Sequence, residues 1–75
     1  MSDHLLEAFG LKVKALRLAK SLSQENLAAI AGLDRTYISG VERGKRNVSL
    51  INLFKLANAL SVKATELVDI GVAND

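Results

Sequence analysis

The chain has 75 residues, no cysteine, no proline and a formal net charge of +2, so one small domain spanning residues 1–75 is expected, with a core modest enough to need close helical packing or a partner subunit. The missing cysteines exclude a disulfide frame and a thiolate metal site. No apolar run approaches membrane-spanning length and the N-terminus lacks the basic and apolar regions of a signal peptide, which points to a soluble, cytoplasmic protein.

Met1 to His4 reads as a loose end, and His4, the only histidine, as a solvated terminal side chain. From about Leu5 to Lys20 the spacing predicts a helix with Leu6, Phe9, Val13 and Leu16 on one stripe and Lys12, Lys14 and Lys20 largely off it. Gly10 weakens that helix by about 1 kcal/mol relative to alanine, so a packing reason for it is expected.

The stretch from Gln24 to Glu42 then reads as two short helices joined by a turn too tight for them to lie antiparallel. Ser23 is a good N-cap for the first, the apolar set Leu27, Ile30 and Ala31 recurs at helical spacing, and Gly32 can take the left-handed conformation that ends a helix. Asp34 can cap the next helix, in which Ile38 and Val41 turn inward while Arg35, Thr36, Ser39 and Gly40 turn outward. Ala28 is small where two crossing helices would touch. This is the pattern of a helix-turn-helix, whose second helix lies in the DNA major groove with its N-terminal residues at the base edges.

The segment Arg43–Val48 breaks the periodicity with a glycine and three cations and reads as a surface loop. Ser49 can cap a fourth helix running to about Leu60, with Leu50, Leu53, Phe54, Ala57 and Leu60 at three- and four-residue spacing. Ser61 to Lys63 is a connector, and a last helix from about Ala64 to Ile70 can end at Gly71. No stretch alternates as a strand would, so the expectation is an all-α, compact five-helix fold. Leu50, Ile51, Leu56, Leu60, Leu67, Val68, Ile70 and Val72 are more apolar side chains than one small core readily hides. Either they complete the monomer core, or the helices over about 49–70 meet a second copy, with Ile51, Leu56, Leu67, Val68 and Ile70 as the candidate dimer interface.

Charge is distributed unevenly. Between Lys12 and Arg46 eight cations stand against three carboxylates, a net +5, whereas both flanking segments are acidic. A basic face is expected there. Catalysis is not: with one terminal histidine, no cysteine, no clustered carboxylates and no phosphate-binding glycine loop, the chain offers no base, nucleophile or metal site, and no cofactor is implied.

The run Leu22 to Ala28, continued through Gly32 and Ile38-Ser39-Gly40-Val41-Glu42-Arg43-Gly44-Lys45, closely resembles the phage-repressor/Cro class of helix-turn-helix regulators, the Xre-like family, over about Phe9 to Leu67. Within it, Asp34 to Gly40 followed by Arg46 to Leu50 looks most like the controller proteins of restriction–modification systems. The resemblance implies a regulator that binds double-stranded DNA as a homodimer on a near-palindromic operator, one half-site per subunit. By the same resemblance Arg35, Thr36, Ser39 and Gly40 hold base-facing positions, with Tyr37 at their edge within reach of a phosphate or a thymine. Gln24 matches a phosphate-holding residue, Arg43, Lys45, Arg46 and Asn47 match a loop that straddles the backbone, and Arg17 and Glu42 match a buried salt bridge between helices one and three. Two positions depart: Ser21 stands where the family often has glycine, and Gly40 where many relatives carry a base-reading side chain.

Arg35 is the strongest base-contact candidate, since its forked guanidinium can donate two bonds to guanine, and a cation there opposes the helix dipole. Thr36 can offer a methyl to thymine or a hydroxyl to phosphate, and Ser39 can bond either. Gly40 sacrifices helix stability for close approach either to DNA or to Tyr37. With no second domain to hold an effector pocket, no small-molecule effector is expected. An antitoxin or adaptor that binds another protein through the apolar C-terminal helices is the alternative function.

Overall fold

The computed structural model describes residues 2–71, with side chains from His4 onward; Met1 and Val72 lie outside the described residues. These residues form five helices and no strand: α1 (Ser2–Ala19), α2 (Gln24–Ala31), α3 (Arg35–Glu42), α4 (Leu50–Ala59) and α5 (Ala64–Leu67). α1 packs on α3 and α5, α2 on α3 and α4, and α4 on α5. Every helix contributes to one core, made of Phe9, Val13, Leu27, Ala28, Ile38, Val41, Leu56, Ala57, Leu60 and Leu67. Ala28 does sit buried in it, and beside Gly10 there is no room for a side chain: a Cβ would lie 2.3 Å from the Val41 carbonyl oxygen of α3. α1 and α3 therefore cross backbone to backbone.

The first four helices end by one device. After α2, Gly32 turns left-handed at φ 72° and the Leu33 amide donates to the Ala28 carbonyl at 2.9 Å. After α3, Gly44 does the same at φ 73°, with the Lys45 amide on the Gly40 carbonyl at 2.9 Å. Ser21 after α1 and Ser61 after α4 take that conformation at φ 57° and 58°, with Leu22 bonded back to Arg17 and Val62 to Ala57. The motif satisfies carbonyls that a helix end leaves orphaned. It also turns the chain within a few residues, so α2 and α3 are separated by Gly32, Leu33 and Asp34 alone. At the other ends, the Ser23 and Ser49 hydroxyls accept the amides of Asn26 and Asn52 at 2.9 and 3.1 Å. Asp34 occupies the cap position of α3 but makes no capping hydrogen bond.

Several expectations need correction. α1 begins at Ser2, so Ser2 to His4 is helical rather than loose. Ile30 is exposed, because α2 turns Leu27 and Ala28 inward. Leu50 and Phe54 are exposed as well, since the inward stripe of α4 is Leu53, Leu56, Ala57 and Leu60. α5 stops at Leu67, and Gly71 turns left-handed four residues later.

Leu56 and Leu67 are both 0% exposed and belong to the chain's own core, so neither is available to a second copy. A four-residue helix cannot hold itself together; the burial of Leu67 is what docks α5. Ile70 is half-buried against the core, and with Val68 it borders an apolar groove of about 260 Å³ whose other walls include Leu5, Phe9, Val48 and Leu53. Of the five interface candidates, Ile51 and Val68 remain largely open to solvent.

Candidate nucleic-acid interface

α3 is amphipathic, and its two faces meet different surroundings. Inward, Ile38 and Val41 are buried against α1 and α2, and Glu42 in the last turn is buried with them. Outward, Arg35 and Thr36 stand exposed at the first turn, with Tyr37 and Ser39 half-exposed behind them. Arg35 and Ser39 share a face by their four-residue spacing, as do Thr36 and Gly40. The loop after α3 folds back on that surface. Arg43 donates from Nη1 to the Ser39 hydroxyl at 3.1 Å, and the Arg46 guanidinium lies 5.5 Å from the centre of the Tyr37 ring. Lys45 and Asn47 are exposed in the same loop. Four of the +5 segment's cations are thus gathered on or beside the outer side of one helix.

Beneath it lies a closed polar network. Arg17 of α1 donates from Nε and Nη2 to the two carboxylate oxygens of Glu42 at 2.6 and 3.0 Å, and from Nη1 to the Leu22 carbonyl at 2.8 Å. Gln24, first residue of α2, adds a bond from Nε2 to Glu42 Oε1 at 3.0 Å. Three donors on one carboxylate tie α1 and the start of α2 to the end of α3, and the Arg17 bond to Leu22 adds the α1–α2 turn. The hydrogen bond to Glu42 raises the Arg17 pKa against the opposing pull of burial, so the guanidinium stays charged. Among the described residues no buried side-chain nitrogen or oxygen lacks a partner, which is the condition for a buried ion pair to be tolerated.

The resemblance gives Gln24 only as a phosphate holder and does not reveal its bond to Glu42. The available signal was Glu42 itself, whose carboxylate has more acceptor positions than one arginine fills. Helical spacing turns Gly40 outward, yet it is buried, with the Arg46 side chain lying against it. Among the described residues no three metal-ligating side chains cluster, and no helix is long and apolar enough to cross a membrane.

A model of the helix-turn-helix family matches residues 13–67, which contain the whole of the arrangement just described. Control protein C.BamHI of Bacillus amyloliquefaciens is 50% identical over 70 residues, covering 92% of this chain and 86% of that protein. The crystal structure of the restriction–modification controller protein C.AhdI from Aeromonas hydrophila superposes with a TM-score of 0.82 at 58% identity, over 83% of this chain and 94% of that one. C.Esp1396I, solved as a tetramer in complex with its natural 35 base-pair operator, superposes with a TM-score of 0.78 at 40% identity, over 84% of this chain and 82% of that one. The chain belongs to the helix-turn-helix family of DNA-binding transcription regulators, on the side of the restriction–modification controllers.

Proposed function

We propose that the chain is a single-domain cytoplasmic regulator that binds a near-palindromic operator as a homodimer and controls a restriction–modification system, its own expression included. The observation that carries this reading is the outer side of α3: Arg35 and Thr36 are uncovered at its first turn, while the cations of the following loop lie alongside. A helix N-terminus so presented suits entry into a major groove, with Arg35 bidentate on guanine and Thr36, Ser39 and Tyr37 on neighbouring base edges or thymine methyls. Arg43, Lys45, Arg46 and Asn47 then lie where phosphates run, and supply affinity and salt dependence without sequence information. Gln24 keeps a second amide hydrogen for a phosphate, since only one is needed by Glu42.

The operator-bound tetramer of C.Esp1396I supports multimeric binding, and the exposed Leu50, Ile51 and Phe54 of α4, with Val68, supply apolar surface for a dimer. Occupancy would follow chain concentration through coupled dimerisation and binding.

The test begins with selection of duplexes from a random-sequence pool. Arg35→Ala is expected to relax preference at one base pair per half-site, a discrimination worth about 1–3 kcal/mol. Lys45→Ala is expected to weaken binding to all sequences alike and to flatten the dependence of log affinity on log salt by about one. Equal losses of Arg35→Ala on selected and random duplexes would remove Arg35 from base reading.

A further inference from the structure

Two glycines lie inside helices, and different things crowd them. A Cβ on Gly10 would meet backbone atoms of α3, whereas the three atoms nearest a Cβ on Gly40 all belong to Arg46: Cγ at 3.0 Å, Nε at 3.3 Å and Cδ at 3.7 Å. Gly40 is not among the glycines with positive φ, which are Gly32, Gly44 and Gly71, so the backbone does not require glycine there. Nor does the packing of α3, since outside its own helix backbone and chain neighbours no atom but those of Arg46 comes closer than 3.7 Å, an ordinary contact distance, to the missing Cβ. What occupies the notch is the stem of an exposed arginine, whose guanidinium ends over Tyr37.

We propose that Gly40 is a positioning residue for DNA contact: it is the seat on which Arg46 lies back along α3, so that a cation from the loop reaches the recognition surface already placed. The Lys45 amide bonded to the Gly40 carbonyl at 2.9 Å returns the chain to the seat one residue before Arg46 leaves it. An arginine with a long free stem loses much rotational freedom when it meets a phosphate, and one already laid against a helix loses less. The Tyr37 ring holds its other end by attraction between cation and ring face. The inference rests on the DNA-binding reading above, and it separates two roles of Gly40, room for the chain's own Arg46 and room for the nucleic acid.

Tyr37 is the only tyrosine and there is no tryptophan, so intrinsic fluorescence of the free protein reports the Arg46 contact directly. Gly40→Ala, Arg46→Ala and the double variant are compared by tyrosine emission, thermal melting, and binding to a duplex enriched by the wild-type protein from a random pool. Gly40→Ala is expected to change emission in the same direction as Arg46→Ala and to lower duplex affinity about two- to fivefold, the equivalent of an exposed cation–π contact. It should nevertheless melt higher, because alanine is the better helix former, by less than the about 4–8 °C that propensity alone supplies, since the lost Arg46–Tyr37 contact offsets part of the gain. In the Arg46→Ala background the Gly40→Ala change should leave emission and affinity unaltered. Wild-type emission and affinity in Gly40→Ala would overturn the proposal. So would an affinity loss that persists without Arg46, which would assign the space to DNA. Failure of the regulator reading looks different: the wild-type protein then enriches no duplex, and the proposal falls with it.

Discussion

The two faces of α3 are held by different means. On the inner face the restraints are immovable: the α1 backbone at Gly10, fully buried Ile38 and Val41, and a carboxylate with three donors. On the outer face they are exposed side chains, Arg43 on Ser39 and Arg46 over Gly40 and Tyr37. The inner face therefore sets where the helix stands, and the outer face sets only what it presents. Changes on the first should appear as lost folding and changes on the second as altered binding.

The largest break is expected from Arg17→Ala, which strands the buried Glu42 and should cost about 3–5 kcal/mol in urea unfolding. DNA binding would disappear with the fold, so a binding assay alone would mistake Arg17 for a contact residue. Replacing both partners with apolar residues of similar volume should recover most of that loss, and a single variant costing under about 1 kcal/mol would move the pair into the class of surface ion pairs.

Gly10→Ala comes next, at about 1–3 kcal/mol. Its methyl would press on carbonyl oxygens of Val41 and Glu42 at 2.3 and 2.8 Å, and α1 must back away from α3 to admit it. An unchanged melting midpoint would show that the crossing gives more easily than this geometry allows. The contrast with Gly40→Ala is the sharpest form of the comparison, since the same substitution is expected to destabilise on one face and stabilise on the other.

The smallest effect is a gain. Ser21 and Ser61 take a left-handed conformation that non-glycine residues adopt at a cost of roughly 1–2 kcal/mol. Ser21→Gly, at an exposed position, should stabilise the chain by about 1 kcal/mol without touching either face of α3. A lowered midpoint in thermal melting would mean that the serine side chain does something there that its exposure does not reveal.

Helices and caps were legible because they depend on neighbours in sequence. Ser23 and Ser49 as caps, Gly32 as terminator, and the Leu6–Phe9–Val13–Leu16 stripe all follow from spacing and backbone preference. α4 was legible as a helix but not in its facing: so many of its positions are apolar that period alone could not choose between the Leu50–Phe54 stripe and the Leu53–Leu56–Ala57–Leu60 stripe. The inward facing of Leu56 is one that period alone does not supply, and that of Leu67 is hidden because the four-residue α5 has too few residues to show a period at all. In the interface, Arg35 and Thr36 were legible as outward because inward Ile38 and Val41 phase the helix. The covering of Gly40 was not, since it depends on where a loop six residues on brings its arginine.

The left-handed ends of the first four helices have a consequence in time. Each reversal closes hydrogen bonds inside its own few residues, so the route of the chain is set locally, and only the docking of α1 with α3 and α5 and of α2 with α4 requires distant segments to find each other. Small helical bundles of such local topology fold in microseconds to milliseconds. A newly synthesised chain would be competent almost as soon as it is released, and any delay before the regulator acts would be set by how quickly copies accumulate.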